Sequence, residues 1–123
     1  MATSGTYVLA HHDWHNIRAE AIGERVVIRR IRGGSSEAAH LEIGPGGALG
    51  TSGLPAECFL TVLTGRLLAA VLGNEVDLDV GHFVLIPPHV PLTLHNPTRS
   101  PAVLVAHCNS VIPQDTATLL DAF

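Results

Sequence analysis

The sequence predicts an all-β domain, a barrel or two-sheet sandwich with one short helix at its C-terminus. Three features of the chain carry that expectation. Gly and Pro break it at short intervals: Gly33-Gly34, Gly44-Pro45-Gly46-Gly47, Gly50, Gly53, Gly65, Gly73-Asn74, Gly81, Pro87-Pro88 and Pro97. Between the breaks lie runs of about five to eight residues rich in Val, Ile and Leu, the length and composition of strands. One of those runs, Glu75-Val76-Asp77-Leu78-Asp79-Val80, alternates strictly between charged and apolar residues. A period of two belongs to a strand with one wet face and one buried face.

The candidate strands, in order, are Arg25–Arg32, Ala38–Ile43, Cys58–Leu63, Arg66–Leu72, Glu75–Val80, Phe83–Ile86, Leu92–Asn96 and Ala102–Cys108. Leu72-Gly73-Asn74-Glu75 reads as a tight hairpin, because Gly and Asn tolerate positive φ. Asp115 to Phe123 is the helix: Pro113 precedes it, and Leu119, Leu120 and Phe123 share an apolar edge. Residues 1–123 form a single domain, with no repeat, linker or low-complexity tract.

Composition narrows the function. The chain of 123 residues is 46% hydrophobic and 15% charged, enough apolar content for a real core. Eleven acidic residues against seven basic ones give a formal charge of -4, and all seven bases are Arg. A nucleic-acid partner wants a basic face, so none is expected. The longest apolar run, Leu67–Leu72, is far short of the roughly 20 residues of a spanning helix, so no membrane is expected either. The start Met-Ala-Thr-Ser-Gly-Thr lacks a basic, then apolar, signal core. Cys58 and Cys108 are fifty positions apart with no C-x-x-C, which suits reduced thiols in a cytoplasmic protein.

Two segments carry a finer pattern. The first runs Gly46, five residues, Ser52, one, Leu54, three, Cys58, six, Gly65; the second runs Gly81, five residues, Pro87, one, His89, two, Leu92, three, Asn96. Fifteen residues separate them. This resembles the two signature motifs of the cupin family, Gly-x5-His-x-His-x3-Glu-x6-Gly and Gly-x5-Pro-x-Gly-x2-His-x3-Asn. The skeleton positions match at Gly46, Gly65, Gly81, Pro87 and Asn96, and the resemblance spans roughly positions 38–108. It implies a cupin-type double-stranded β-helix, that is, a jelly-roll barrel.

The resemblance does not extend to the family's metal ligands. The positions that would hold iron, manganese, nickel or zinc are Ser52, Leu54, Cys58 and Leu92. Leu has no donor atom, Ser is a poor ligand, and one thiolate makes no chelate. A one-residue slip brings Glu57 to the carboxylate position but puts no His at the others, since none occurs between His40 and His82. No metal and no other cofactor is expected. By strand parity the interior is then lined by Ser52, Leu54, Cys58, Leu60, Leu92 and Leu94. Such a lining suits an uncharged, largely apolar guest, because burying a bare charge there costs several kcal/mol or more.

Each candidate for chemistry has a bland counterpart. His107 shares parity with Val103 and Val105; if those line the barrel, its imidazole reaches the interior and can move a proton, and otherwise it is a rim histidine. His40 shares a face with Glu42, opposite Leu41 and Ile43, which favours a surface or interface role over catalysis. Cys58 is a candidate nucleophile or a small buried hydrophobe. His89 replaces a Gly in a turn and either contacts a ligand or serves the turn. His82 is expected to cap a turn and His95 to be exposed. His11, His12 and His15 surround Asp13 and Trp14, a weak metal cluster at best, with Trp14 anchoring the N-terminal segment. Arg29, Arg30 and Arg32 are expected to pair with Glu20, Glu24, Glu37 or Glu42 on a solvated face, or to meet a carboxylate or phosphate at the barrel mouth.

The reading taken from these residues is a metal-independent enzyme that acts on a small, uncharged or apolar molecule by acid–base chemistry. Isomerisation, dehydration or other elimination, and cyclisation all fit. The catalytic candidates are His107, His40 and Cys58; the binding candidates are Ser52, Leu54, Leu60, His89, Leu92 and Leu94. A non-catalytic small-molecule binder or sensor is the alternative. A metalloprotein with ligands such as His40, His89 and His107 is a third. A homodimer is expected in each case, because barrel edges and apolar outer faces need cover.

Overall fold

The computed structural model of the protein describes residues 13–109. The expected C-terminal helix, and His11 and His12 of the histidine cluster, lie outside the described residues. Among the described residues a 3-10 turn at Trp14–Asn16 is followed by ten strands. They are β1 (Ala19–Gly23), β2 (Val26–Arg32), β3 (Ser36–Ile43), β4 (Ala48–Thr51), β5 (Cys58–Thr64), β6 (Leu67–Val71), β7 (Asn74–Leu78), β8 (Phe83–Ile86), β9 (Leu92–His95) and β10 (Ala102–Asn109). Two antiparallel sheets result, one of six strands in the order β1-β2-β3-β10-β5-β8 and one of four in the order β4-β9-β6-β7. Their inner faces share one core.

Sequence alternation explains which face each strand buries. Strand β3 buries Glu37, Ala39, Leu41 and Ile43; β5 buries Cys58, Leu60 and Val62; β9 buries Leu92 and Leu94; β10 buries Ala102, Leu104, Ala106 and Cys108. Leu49, Leu67, Ala69 and Leu78, from the same four-stranded sheet as β9, complete the core. Burial of that many branched side chains, at about 1.5–3 kcal/mol each, is the main force closing the sheets on each other.

Eight strands fall where the sequence places them, within one or two residues. Two others, β1 and β4, were not expected. Strand β4 lies inside the Gly-rich stretch, where Ala48-Leu49-Gly50-Thr51 offers a single large apolar side chain and the pattern alone signals only turns. The β6–β7 hairpin is displaced by one residue from its expected place. Val71 pairs with Asn74, and the two loop residues are Leu72 (φ 51°) and Gly73 (φ 83°). Both central residues of such a loop need positive φ, so Asn74 already belongs to the strand. The alternation of β7 also yields less burial than expected. Leu78 is buried, but Val76 and Val80 stay exposed, because β7 is the edge of its sheet.

The turns between strands are held by the motif residues. Asn96 is fully buried. Its Nδ2 donates to the carbonyls of Ile43 (2.9 Å) and Ser100 (2.8 Å), while its Oδ1 accepts from the Thr98 amide (2.9 Å) and hydroxyl (2.7 Å). Its backbone exchanges bonds with the first motif, Gly46 N donating to Asn96 O and Asn96 N donating to Gly47 O, each at 2.9 Å. His82 caps its turn as expected, Nδ1 accepting from the Asp79 amide at 3.1 Å.

Candidate functional site

The barrel interior gathers five of the six lining residues that the sequence proposed. Leu54, Cys58, Leu60, Leu92 and Leu94 are all buried in one cluster. They fill the space between the sheets and pack against Leu41, Leu67 and Leu104 rather than lining an open pouch. Ser52 is the exception: it is exposed, in a bend just after β4. The bend comes from the following residue. An ideal Cβ on Gly53 would lie 2.8 Å from Cα of His89, so the loop lies flush on the β8–β9 turn. The same contact fixes His89, whose amide donates to Leu54 O at 2.9 Å while its backbone takes φ 64°. His89 therefore serves the turn, with its side chain exposed.

The two histidines proposed as acids or bases both sit on the outside of the six-stranded sheet. His107 is exposed, and its parity partners Val103 and Val105 face outward while Leu104, Ala106 and Cys108 face in. The expectation that His107 reaches the interior is corrected on this point. The inward set Ala102, Leu104, Ala106 and Cys108 is wholly apolar, whereas the set with the two valines carries His107 and Asn109 and takes the outer face. His40 lies on the same outer face, opposite Arg29 of β2 and Val105 of β10. The Trp14 ring sits 5.5 Å from the His40 ring, so Trp14 anchors the N-terminal turn onto this face as expected. Burial, and secondarily the Arg29 charge, hold the His40 pKa below the usual histidine value. His15 pairs with Asp13 at 3.1 Å in full solvent.

One ionisable side chain that sequence reading placed on a solvated face is inside. Glu37 is only 2% exposed and shares its face with Ala39, Leu41 and Ile43. Its register partners are Arg32 on β2 and Cys108 on β10. Cys108 in turn faces Cys58 on β5, and Cys58 faces Ile86 on β8. One layer across the sheet thus reads Arg32, Glu37, Cys108, Cys58, Ile86. The signal for Glu37 was present, since it continues the apolar parity of β3 by one step. It was hidden because a strand beginning at Ala38 leaves it in the preceding loop.

Cys58 and Cys108 are both buried and both free thiols. Cys58 Sγ donates to the Phe59 carbonyl at 3.7 Å, and the neighbouring Cys108 together with burial pushes the Cys58 thiol far above the usual cysteine value. The Cys58 thiol beside it lowers Cys108. Such a Cys58 is the wrong kind of thiol for first attack on a substrate, which needs its thiolate near neutral pH.

The four positions that correspond to metal ligands do not fit a metal. Leu54 and Leu92 are buried without a donor atom, Ser52 points to solvent, and Cys58 is the one remaining donor. Among the described residues no group of three or more His, Cys, Asp or Glu side chains is arranged to hold an ion, so His40, His89 and His107 are not brought together for one.

Access to the interior comes at the open edge between the sheets. A slot of about 190 Å³ lies between β8 and the β6–β7 hairpin, lined by Ala69, Val71, Val76, Val84, Ile86 and their neighbours. Its walls are almost wholly apolar, and Ala69 and Ile86 at its floor belong to the core. A second pocket of about 200 Å³ lies at one end of β5 and β10, where Glu57, Phe59, His107 and Cys108 meet.

The pairing of the sheets and the Asn96 turn are the architecture that the two motifs implied, and comparison of the sequence with family models decides the matter: the cupin domain model matches residues 39–108, more than half of the chain. The chain belongs to the cupin family. Solved cupin structures agree in fold. An RmlC-like cupin from Shewanella frigidimarina superposes with a TM-score of 0.72 at 17% identity, covering 83% of this chain and 91% of that one. A cupin 2 conserved barrel domain protein from Salinispora arenicola gives 0.69 at 19% identity, covering 87% and 92%. The polyketide cyclase RemF from Streptomyces resistomycificus gives 0.72 at 13% identity, covering 88% and 89%. Identities this low speak for the fold alone. No curated protein matches the sequence. Among the described residues no helix is long and apolar enough to cross a membrane.

Proposed function

We propose that this cupin binds a small, uncharged, largely apolar organic molecule in the slot between β8 and the β6–β7 hairpin, and does so without a metal. The apolar lining of that slot is the observation that carries the reading. Val71, Val76 and Val84 form its walls, and no charged side chain lines it. A guest there gains burial of its own surface at roughly 25 cal/mol per Å², and a charged guest loses more in desolvation than it gains. The replacement of donor atoms at positions 54 and 92 by Leu supports metal-free binding. The polyketide cyclase among the structural neighbours is a precedent for organic substrates on this fold, at the level of analogy.

The test uses N-phenylnaphthylamine, an uncharged apolar fluorophore, as probe. Its emission should rise on binding and persist after EDTA treatment. Val76→Asp puts a charge on the rim at a half-exposed edge position, so the fold tolerates it while probe affinity falls about tenfold or more, roughly 1.4 kcal/mol. Affinity equal in the two proteins would remove the slot as the site. Loss of binding with EDTA would restore a metal to the picture.

We also propose association of two copies through the outer face of the six-stranded sheet, where Phe59, Leu63, Phe83 and Leu85 remain exposed, and a cytoplasmic location consistent with two reduced thiols.

A further inference from the structure

The layer that holds Glu37 also places two thiols face to face. Cys58 and Cys108 are directly opposed residues of neighbouring antiparallel strands, both on the inward face. Directly opposed residues in such a pair have Cα atoms about 4.5–5.5 Å apart. A disulfide accepts Cα separations of about 4.4–6.8 Å, so the sheet already holds the two residues at bonding range without movement of either strand. We infer that Cys58 and Cys108 are a site of oxidation by a hydroperoxide, closing to an intramolecular cross-strand disulfide between β5 and β10.

The two thiols are not equivalent. Cys108 lines the pocket at the end of β5 and β10, together with Glu57, Phe59 and His107, and is the thiol that a small oxidant reaches. Cys58 is 0% exposed, behind it. Cys108 therefore reacts first. Its sulfur attacks the distal oxygen of ROOH, breaking the O–O bond, forming Cys108–SOH and releasing ROH. The Cys58 thiol, directly opposite, then condenses with this electrophilic sulfenic sulfur, passing its proton to the departing hydroxyl so that water leaves as the S–S bond forms. Two thiols and one hydroperoxide give one disulfide, one alcohol and one water. Both sulfurs are oxidised and the peroxide is reduced. The neighbouring Cys58 thiol favours this order, because it lowers the Cys108 pKa and so stabilises the thiolate that attacks. The inference is independent of the slot as a binding site. The two touch only at Ile86, which faces Cys58 and lines the slot.

The chain has two cysteines, so an intramolecular disulfide has only one possible identity. Purified reduced protein is treated with hydrogen peroxide, then denatured, alkylated and weighed. The expected result is a monomer lighter by two hydrogens, with free thiols falling from two per chain to none and restored by dithiothreitol. Digestion without reductant should give one linked peptide pair spanning positions 58 and 108. Cys58→Ala should stop at an oxidised or mixed-disulfide Cys108, and it should form no monomeric cross-link. Both thiols still open to alkylation after peroxide would overturn the inference, as would added oxygen without a cross-link, or disulfides only between chains. The measurement on the unaltered protein decides the matter even if the variant folds poorly.

Discussion

At Asn96 four side-chain hydrogen bonds converge on an amide that has no contact with solvent, two donated and two accepted. Replacement by Ala would leave the carbonyl of Ile43 and the Thr98 amide short of a partner in a buried place. The expected cost is about 2–4 kcal/mol, read as a lower urea midpoint at unchanged slope. His40 makes a second prediction at this scale. Its pKa is depressed in the folded protein by burial first and then by the Arg29 charge, against the pull of Glu42 and with a small push from His15. The unfolded chain therefore binds a proton at a higher pH than the folded one. Stability should fall as pH drops below the ordinary histidine value of about 6.5, down to the folded pKa, and level off below it. His40→Gln should flatten that part of the stability–pH curve. An unchanged slope would mean that another group carries it. The one tryptophan, Trp14, sits against His40, so its fluorescence offers a direct reading of the same titration.

Among the elements, strand β5 depends on how it ends. Gly65 has φ 79°, and an ideal Cβ there would lie 2.6 Å from the carbonyl oxygen of Pro101 and 2.8 Å from Cα of Ala102. The turn after β5 thus runs against the start of β10, and neither backbone can yield. Gly65→Ala should destabilise by about 2–4 kcal/mol, measured by thermal or urea unfolding, whereas Gly73→Ala in the open hairpin meets nothing within 4 Å and carries only the φ penalty. Near-equal losses in the two variants would show that the contact with β10 is unimportant. The element scale also shows what was legible beforehand. Eight strands were visible because each carries its own alternating or continuous apolar run. Strand β4 was not, because Leu49 is its one large apolar residue, and it exists as a strand only through its pairing with β9. Strand β1 likewise pairs with a single neighbour, β2, at the sheet edge.

For the whole molecule, the six-stranded sheet has two faces of unequal character to solvent. Its inner face is buried against the four-stranded sheet, while its outer face leaves Phe83 62% exposed beside Phe59, the two rings 6.4 Å apart. A contiguous aromatic and aliphatic patch of this kind is uncommon on a lone monomer. Sedimentation should find a dimer, and Phe83→Arg should shift it to monomer with little loss of thermal stability per chain. A monomer in the unaltered protein would instead leave the patch to another partner.

The alternation of β2, β3, β5, β9 and β10, together with the glycines and Asn96 of the two motifs, determined a cupin barrel from the sequence by itself. These are local signals: strand period, turn chemistry and fixed spacing act over a few residues. The chain also determined that Leu stands where donor atoms would be. Only the tertiary structure decided which face of β10 turned inward, sending His107 out and Cys108 in. It alone placed Glu37 and the two thiols in one layer, and sent Ser52 into solvent through the contact of Gly53 with His89. The physical reason is that a strand's parity is written in its sequence, but the face that becomes the inside is chosen by what packs best across from it. Residues distant in the chain become neighbours only through the register of strands that the sequence does not print.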